Sequence, residues 1–157
     1  MKLIVRRADN RDIPAITELL IQVDMVHHNG RPDLFKGPAV KYTPDELKEI
    51  LLNDETPVFV CVEEDNNVLG HGFCIMQHFG GQLMEEVDTL YIDDICVGEK
   101  YRGQGVGRAL YEHILDHARK SGCYNVTLNV WSCNPGAMKF YQKLGLSPYK
   151  TGMEKIL

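Results

Sequence analysis

The stretch "EKYRGQGVGRALYEHILDH", residues 99–117, constrains the fold more than any other part of the chain. It follows a β-rich run, "TLYIDDICV", and passes directly into apolar positions at helical spacing. Strand, glycine loop and helix in that order form the first part of a strand–helix–strand crossover. Glycines at alternate positions, Gly103, Gly105 and Gly107, let backbone N–H groups approach an anion with no Cβ in the way. The following helix presents its free N–H groups and positive dipole end to the same place, and Arg102 and Arg108 add charge. The alternative is a turn that only starts a helix. It would place three glycines, each costing about 1 kcal/mol, in a first turn with nothing to offset them.

Spacing excludes two phosphate loops. The dinucleotide pattern G-x-G-x-x-G fails because Arg108 stands three residues after Gly105, and that pattern belongs to a first strand–helix unit. The P-loop ending Gly-Lys-Ser/Thr is absent, so chemistry dependent on ATP or NAD is disfavoured. A formal net charge of -5 argues against a general nucleic-acid partner and mildly favours cationic ones. No apolar run approaches the roughly 20 residues of a membrane span, and the three apolar residues of "LIV" are too few for a signal-peptide core. The five cysteines form no C-x-x-C pair and mostly sit in apolar runs, so they read as reduced packing residues of a cytoplasmic protein, with no structural metal.

At 157 residues the chain reads as one domain. "KLIVRRA" is a strand, and apolar residues at helical spacing from Ile13 to Val26 make a helix. "HHNGRPDLFKGPAVKY" breaks that period and reads as a loop, and "TPDELKEILLN" opens a second helix with a capping box at Thr43 and Glu46. "TPVFVCVEE" and "VLGHGFCIMQ" form a hairpin; "HFGGQLMEEVD" connects to the strand before the glycine loop. After the long helix come the strand "NVTLNVW", the helix "PGAMKFYQKL" and a last short strand, "MEKIL". The expected fold is α/β: a mixed, mostly antiparallel central sheet flanked by helices on both faces.

"RGQGVG" matches the R/Q-x-x-G-x-G/A signature of the GNAT superfamily of N-acetyltransferases, and the flanking segments resemble that family's strand, helix, strand and helix. The resemblance covers the C-terminal half by motif and the first half by element order. It departs at Glu99, where many members have proline. It implies acetyl-CoA as the acetyl donor, with the pyrophosphate on Arg102, Gly103, Gln104, Gly105, Val106, Gly107 and Arg108. Backbone at Ile95, Cys96 and Val97 would pair with the pantetheine arm as a pseudo-strand, one N–H polarising the thioester carbonyl. Asn134 and Tyr141 stand at the family's cofactor-binding Asn and catalytic Tyr positions, with Ala137 on the same helix face. A homodimer is a further expectation from the superfamily.

Tyr141 is the expected acid for the leaving thiolate, donating a hydrogen bond as charge develops. Cys96 as a covalent acyl carrier is the rival route, but no positioned base accompanies it. The acceptor, an alkylammonium at pH 7, must lose a proton, and Asp93 or Asp94 is the expected base, direct or through water. Adjacent strand residues point to opposite faces, so only one of the two enters the site unless a bulge intervenes. Diamine acetyltransferases carry a similar acidic pair, which points to a polyamine-like acceptor; aminoglycosides, protein N-termini and a non-catalytic acyl-CoA-binding module are the alternatives. Glu85, with Glu86 and Asp88, forms either an acidic entrance or a solvated charge run. His27 and His28 line the acceptor pocket in this reading, and they lack the spacing of a zinc site.

Overall fold

The computed structural model describes residues 1–157. Five strands form one sheet in the order β1-β2-β3-β4-β5: β1 (Ile4–Arg7), β2 (Val58–Val62), β3 (Val68–Phe79), β4 (Val87–Val97) and β5 (Asn125–Leu128). The first four pair antiparallel and β5 joins β4 in parallel. The helices are α1 (Ile13–Gly30), α2 (Pro44–Leu52), α3 (Val106–Lys120) and α4 (Pro135–Lys143). The parallel pair is made by the β4–α3–β5 crossover, as the opening stretch of sequence requires.

Alternation along the strands feeds two cores. Val58, Val60, Val62 and Phe73 pack under α1 and α2 with Ile16, Leu20, Leu47 and Leu51. Phe59, Cys61, Cys74, Leu90 and Ile92 pack on the other face against Val106, Leu110 and Ile114 of α3. Gly70 and Gly72 bring α3 close: a Cβ on Gly70 would meet Val106 Cγ1 at 3.2 Å, and one on Gly72 would meet Ile114 Cδ1 at 2.8 Å. Thr43 and Glu46 form the expected capping box of α2.

Two expectations fail. "MEKIL" forms no strand: residues beyond 145 carry no regular element, and Met153 and Ile156 are exposed. Hydrophobic alternation alone cannot make a strand that lacks a ladder partner. The tail is instead fixed at Glu154, which pairs with Arg31. The second correction concerns "HHNG", which continues α1 to Gly30, so His27 and His28 lie on its last turn. Histidine and asparagine near a helix C-terminus satisfy the dipole and the end geometry, which period counting misses.

The entry to α1 is held by a charge pair. Arg6 donates two hydrogen bonds to Asp12, at 2.8 and 2.9 Å, and Asp12 closes a capping box with Asp9. Burial pushes the Asp12 carboxyl up, but the Arg6 hydrogen bonds and the Asp9 backbone outweigh it, and the net shift is down. A depressed carboxyl stabilises the fold above its unfolded-state titration, and that contribution is lost as pH falls through the folded value. Asp12→Ala should therefore cost about 3 kcal/mol at neutral pH, read from urea unfolding. The gap between parent and variant should narrow below about pH 4.

Candidate active site

The pairing of β4 with β5 ends early. Thr89 to Ile92 pair with Asn125 to Leu128, but residues 94–97 have a partner only on the β3 side. The two parallel strands part there, leaving the outer edge of residues 94–97 without a strand partner, although the Val97 carbonyl accepts from the Gln22 side chain. Ile95, Cys96 and Val97 lie on that edge.

A bulge sits at the point of separation. Phe73 pairs with Asp94 and Cys74 with Ile92, so Asp93 is an extra residue on β4. The bulge breaks the simple alternation. Asp94 Oδ2 lies 2.7 Å from His71 Nε2, and Asp93 Oδ2 lies 2.5 Å from Lys41 Nζ. Both partners belong to the α1–α2 side: His71 packs edge-on to Phe73, and Lys41 precedes the Thr43 cap of α2. The two carboxylates therefore reach one face together.

His71 is fully buried, and its Nδ1 has no hydrogen-bond partner. A proton on Nδ1 would bury a donor with nothing to accept it, a cost of about 1–3 kcal/mol. The favoured tautomer is thus neutral, with Nε2–H donating to Asp94. Sequence reading missed His71 because it sits inside an apolar strand. The signal was the "GHG" triplet, in which two glycines clear one face for α3 while the histidine points to the other.

Burial pushes the Cys96 thiol up to about 12, with Asp94 adding to the shift. Its Sγ lies 3.4 Å from the Leu19 carbonyl oxygen and 3.4 Å from Gln22 Nε2, in the α1 interface. Gln22 also donates to the Val97 carbonyl at 2.9 Å and accepts from Glu99 N–H at 3.3 Å, tying α1 to the end of β4. A buried, protonated thiol packed against a helix has the features of a core residue.

The glycine loop divides by physical cause. Gly103 and Gly105 have φ of +74° and +86°, the left-handed region that favours glycine. Gly105 is the N-cap of α3 and supplies no side-chain cap, so the first N–H groups of Val106, Gly107 and Arg108 have no partner from it. Gly107 is inside the helix at an ordinary φ, and there a Cβ would strike the Phe140 ring at 2.9 Å. Only this glycine lies in the first turn; the others shape the approach to it. Arg102 and Gln104 are exposed, Gln104 bonds the Lys100 carbonyl at 3.0 Å, and Arg108 pairs with Glu112 at 3.5 Å.

Phe140 is edge-on to Tyr141, with ring centroids 5.1 Å apart, so Gly107 indirectly sets the position of Tyr141. Burial, then the negative charge of Asp94, raises the Tyr141 phenol above its usual range. It is protonated at neutral pH and lies within the field of Asp94. Asn134 caps α4, its Oδ1 accepting from Ala137 N–H at 3.2 Å. The structure thus gathers Asp93, Asp94, Cys96 and Tyr141 at the parted strands.

The other expected residues lie elsewhere or have internal partners. Glu85 is exposed in the β3–β4 connection, at the opposite end of β4, and is not brought to this group. Glu86 and Asp88 clasp His78 across the hairpin instead. His28 Nδ1 lies 2.7 Å from the Phe35 carbonyl oxygen, and His27 stacks on the Phe35 ring at 5.0 Å. Phe35 meets Trp131, beyond β5, at 5.3 Å. The segment 31–43 therefore touches β4 through Lys41 and the far side of the gap through Phe35.

A sequence model of the Acetyltransferase (GNAT) family matches residues 24–146. The chain belongs to that family. Among curated relatives, the Arabidopsis thaliana glucosamine 6-phosphate N-acetyltransferase is 34% identical over 65 residues, 41% of this chain and 42% of that protein. The Escherichia coli ribosomal protein bS18-alanine N-acetyltransferase is 36% identical over 66 residues, 42% of this chain and 43% of that protein. The matched stretch thus spans less than half the length of these relatives. A mutant of the BH1408 protein from Bacillus halodurans superposes with a TM-score of 0.93 at 28% identity, covering 98% of this chain and 99% of that one. A metagenomic aminoglycoside acetyltransferase superposes with a TM-score of 0.70 at 17% identity, covering 99% and 95%, a likeness of fold.

Proposed function

We propose that this chain transfers an acetyl group from acetyl-CoA to the primary amine of a small cationic acceptor, by direct attack with both substrates bound. The observation that carries the reading is the β4 bulge at the parted strands, with two carboxylates on one face and a protonated tyrosine within the field of one of them. When bound, acetyl-CoA supplies an activated acyl group as a thioester. The residues present fit it. Gly103 has open space around its Cβ position and Gly105 has only Leu3 Cδ1, at 3.9 Å, so no internal packing demands these glycines. An uncapped helix of 15 residues and the nearby Arg102 and Arg108 complete a cradle for a diphosphate.

In this reading backbone at Ile95, Cys96 and Val97 pairs with the pantetheine arm, and Asn134 and Ala137 border it. Tyr141 donates a hydrogen bond to the departing sulfur. Its raised phenol makes complete proton transfer more uphill, so it acts as a donor to developing charge. Asp94, held by His71, takes the proton from the acceptor ammonium, with Asp93 beside it. Some relatives act on sugar phosphates and one on a ribosomal protein. For this chain a small acceptor is favoured because segment 31–43 reaches both sides of the gap, meeting Asp93 through Lys41 and Trp131 through Phe35 and Arg31.

Saturating acetyl-CoA should raise Tm by several degrees, since ligand at 100 times Kd adds about 2.7 kcal/mol. No shift at saturation contradicts the reading. The base assignment has its own test. His71→Phe removes the donor that orients Asp94 and should lower kcat about tenfold while acetyl-CoA affinity is unchanged. His71→Gln, which keeps an N–H donor, should restore kcat in part. An unchanged kcat in the phenylalanine variant would remove Asp94 from the role.

A further inference from the structure

The ammonium paired with Asp93 is the chain's own. Lys41 Nζ sits 2.5 Å from Asp93 Oδ2, at the bulge where the strands part. Among the lysines with carboxylate partners, Lys2, Lys48 and Lys120 pair with Glu64, Asp45 and Asp116, and Lys41 alone meets β4. Its backbone is anchored on both sides. Ala39 N–H donates to Asp24 of α1 at 3.0 Å, and Tyr42 stacks on Phe73 with centroids 5.8 Å apart. Lys41 Nζ also lies 5.4 Å from the Tyr42 ring centroid, over its face. The side chain is half exposed, so the amine is held at the site without being sealed in.

A primary amine fixed on the carboxylate beside the free strand edge has the chemistry of an acceptor. We propose that Lys41 is a self-acetylation site: in the absence of a free amine it receives the acetyl group at Nζ, and in the resting protein its ammonium occupies the acceptor position. The inference rests on the acetyl-transfer reading above. The co-reactant is an acetyl thioester. The Lys41 ammonium passes one proton to Asp93, and the neutral nitrogen attacks the thioester carbonyl carbon. An N–C bond forms, the nitrogen gives up a second proton, the C–S bond breaks with its electron pair going to sulfur, and the thiolate takes up that second proton to leave as free thiol. The products are Nζ-acetyl-Lys41, the thiol and one proton released from Asp93 to solvent. Acetylation removes the positive charge, dissolves the ion pair and leaves Asp93 free for a cationic acceptor.

The test uses the full chain with acetyl-CoA and no added amine. Intact-mass and peptide analysis should find one acetyl group at Lys41, added at least tenfold faster than at the exposed Lys36 and Lys150. Lys41→Arg should abolish it, and Asp93→Asn and Tyr141→Phe should each slow it to the rate of the surface lysines. A second readout needs no thioester donor: acetic anhydride should label Lys41 more slowly than Lys150 in the parent, and faster in Asp93→Asn. Acetylation of Lys41 at the surface rate, or unchanged in both variants, overturns the inference. Thiol release with an added amine while Lys41 stays unmodified in its absence overturns the inference and leaves the acetyl-transfer reading standing. Failure of acetyl-CoA to bind at all overturns both.

Discussion

Replacing Tyr141 by phenylalanine should lower kcat about 100-fold while acetyl-CoA affinity stays within about twofold. The change deletes one oxygen and keeps the ring that packs against Phe140. That hydroxyl is not among the buried polar atoms left unpaired, and it holds no other part of the chain by a hydrogen bond, so stability should change little. An effect confined to kcat is the signature of an interaction made mainly in the transition state. The loss should be read by single-turnover kinetics, with cofactor binding measured separately by calorimetry. A variant that loses affinity and turnover equally would make Tyr141 a packing residue.

Gly105→Val is the second large effect. At φ +86° a β-branched residue is strongly disfavoured, and Gly105 is also the N-cap from which α3 departs. The loop should relax away from its left-handed turn and lose the alignment of its N–H groups with the helix end. Acetyl-CoA affinity should fall at least 100-fold, about 3 kcal/mol, by calorimetry. Gly105→Asn tests whether backbone shape is the cause, because asparagine tolerates this region better than other residues with a Cβ. It should retain affinity within about tenfold of the parent. Equal loss in both variants would assign the effect to side-chain bulk instead.

The long elements of this fold were legible because each is marked by chemistry local to it. The capping box at Thr43, the period-2 strands and the amphipathic pattern from Val106 to Ala118 specify their own structure. The ends were not. "MEKIL" has strand-like composition but no ladder, and His27 and His28 extend a helix whose end depends on Phe35 folding back over it.

The site was legible where it is made by backbone and opaque where it is made by juxtaposition. Three alternating glycines marked the loop that opens α3, where Gly103 and Gly105 take positive φ and Gly107 makes the contact with Phe140. The bulge at Asp93 could be named only as a condition, since one extra residue in a ladder leaves no mark on a single strand. His71, Gln22 and Lys41 were invisible because their partners lie 23, 75 and 52 residues away along the chain. Burial of a histidine against a carboxylate is a tertiary event. No window of sequence contains both halves.

The most direct test of acetyl transfer is a coupled measurement over a panel of polyamines, aminoglycosides, amino acids and N-terminal peptides, following free CoA thiol and N-acetylated product together. The account predicts equal amounts of both with at least one small cationic amine, and loss of both in Tyr141→Phe. Tight acetyl-CoA binding with no thiol release for any amine in the panel would contradict it.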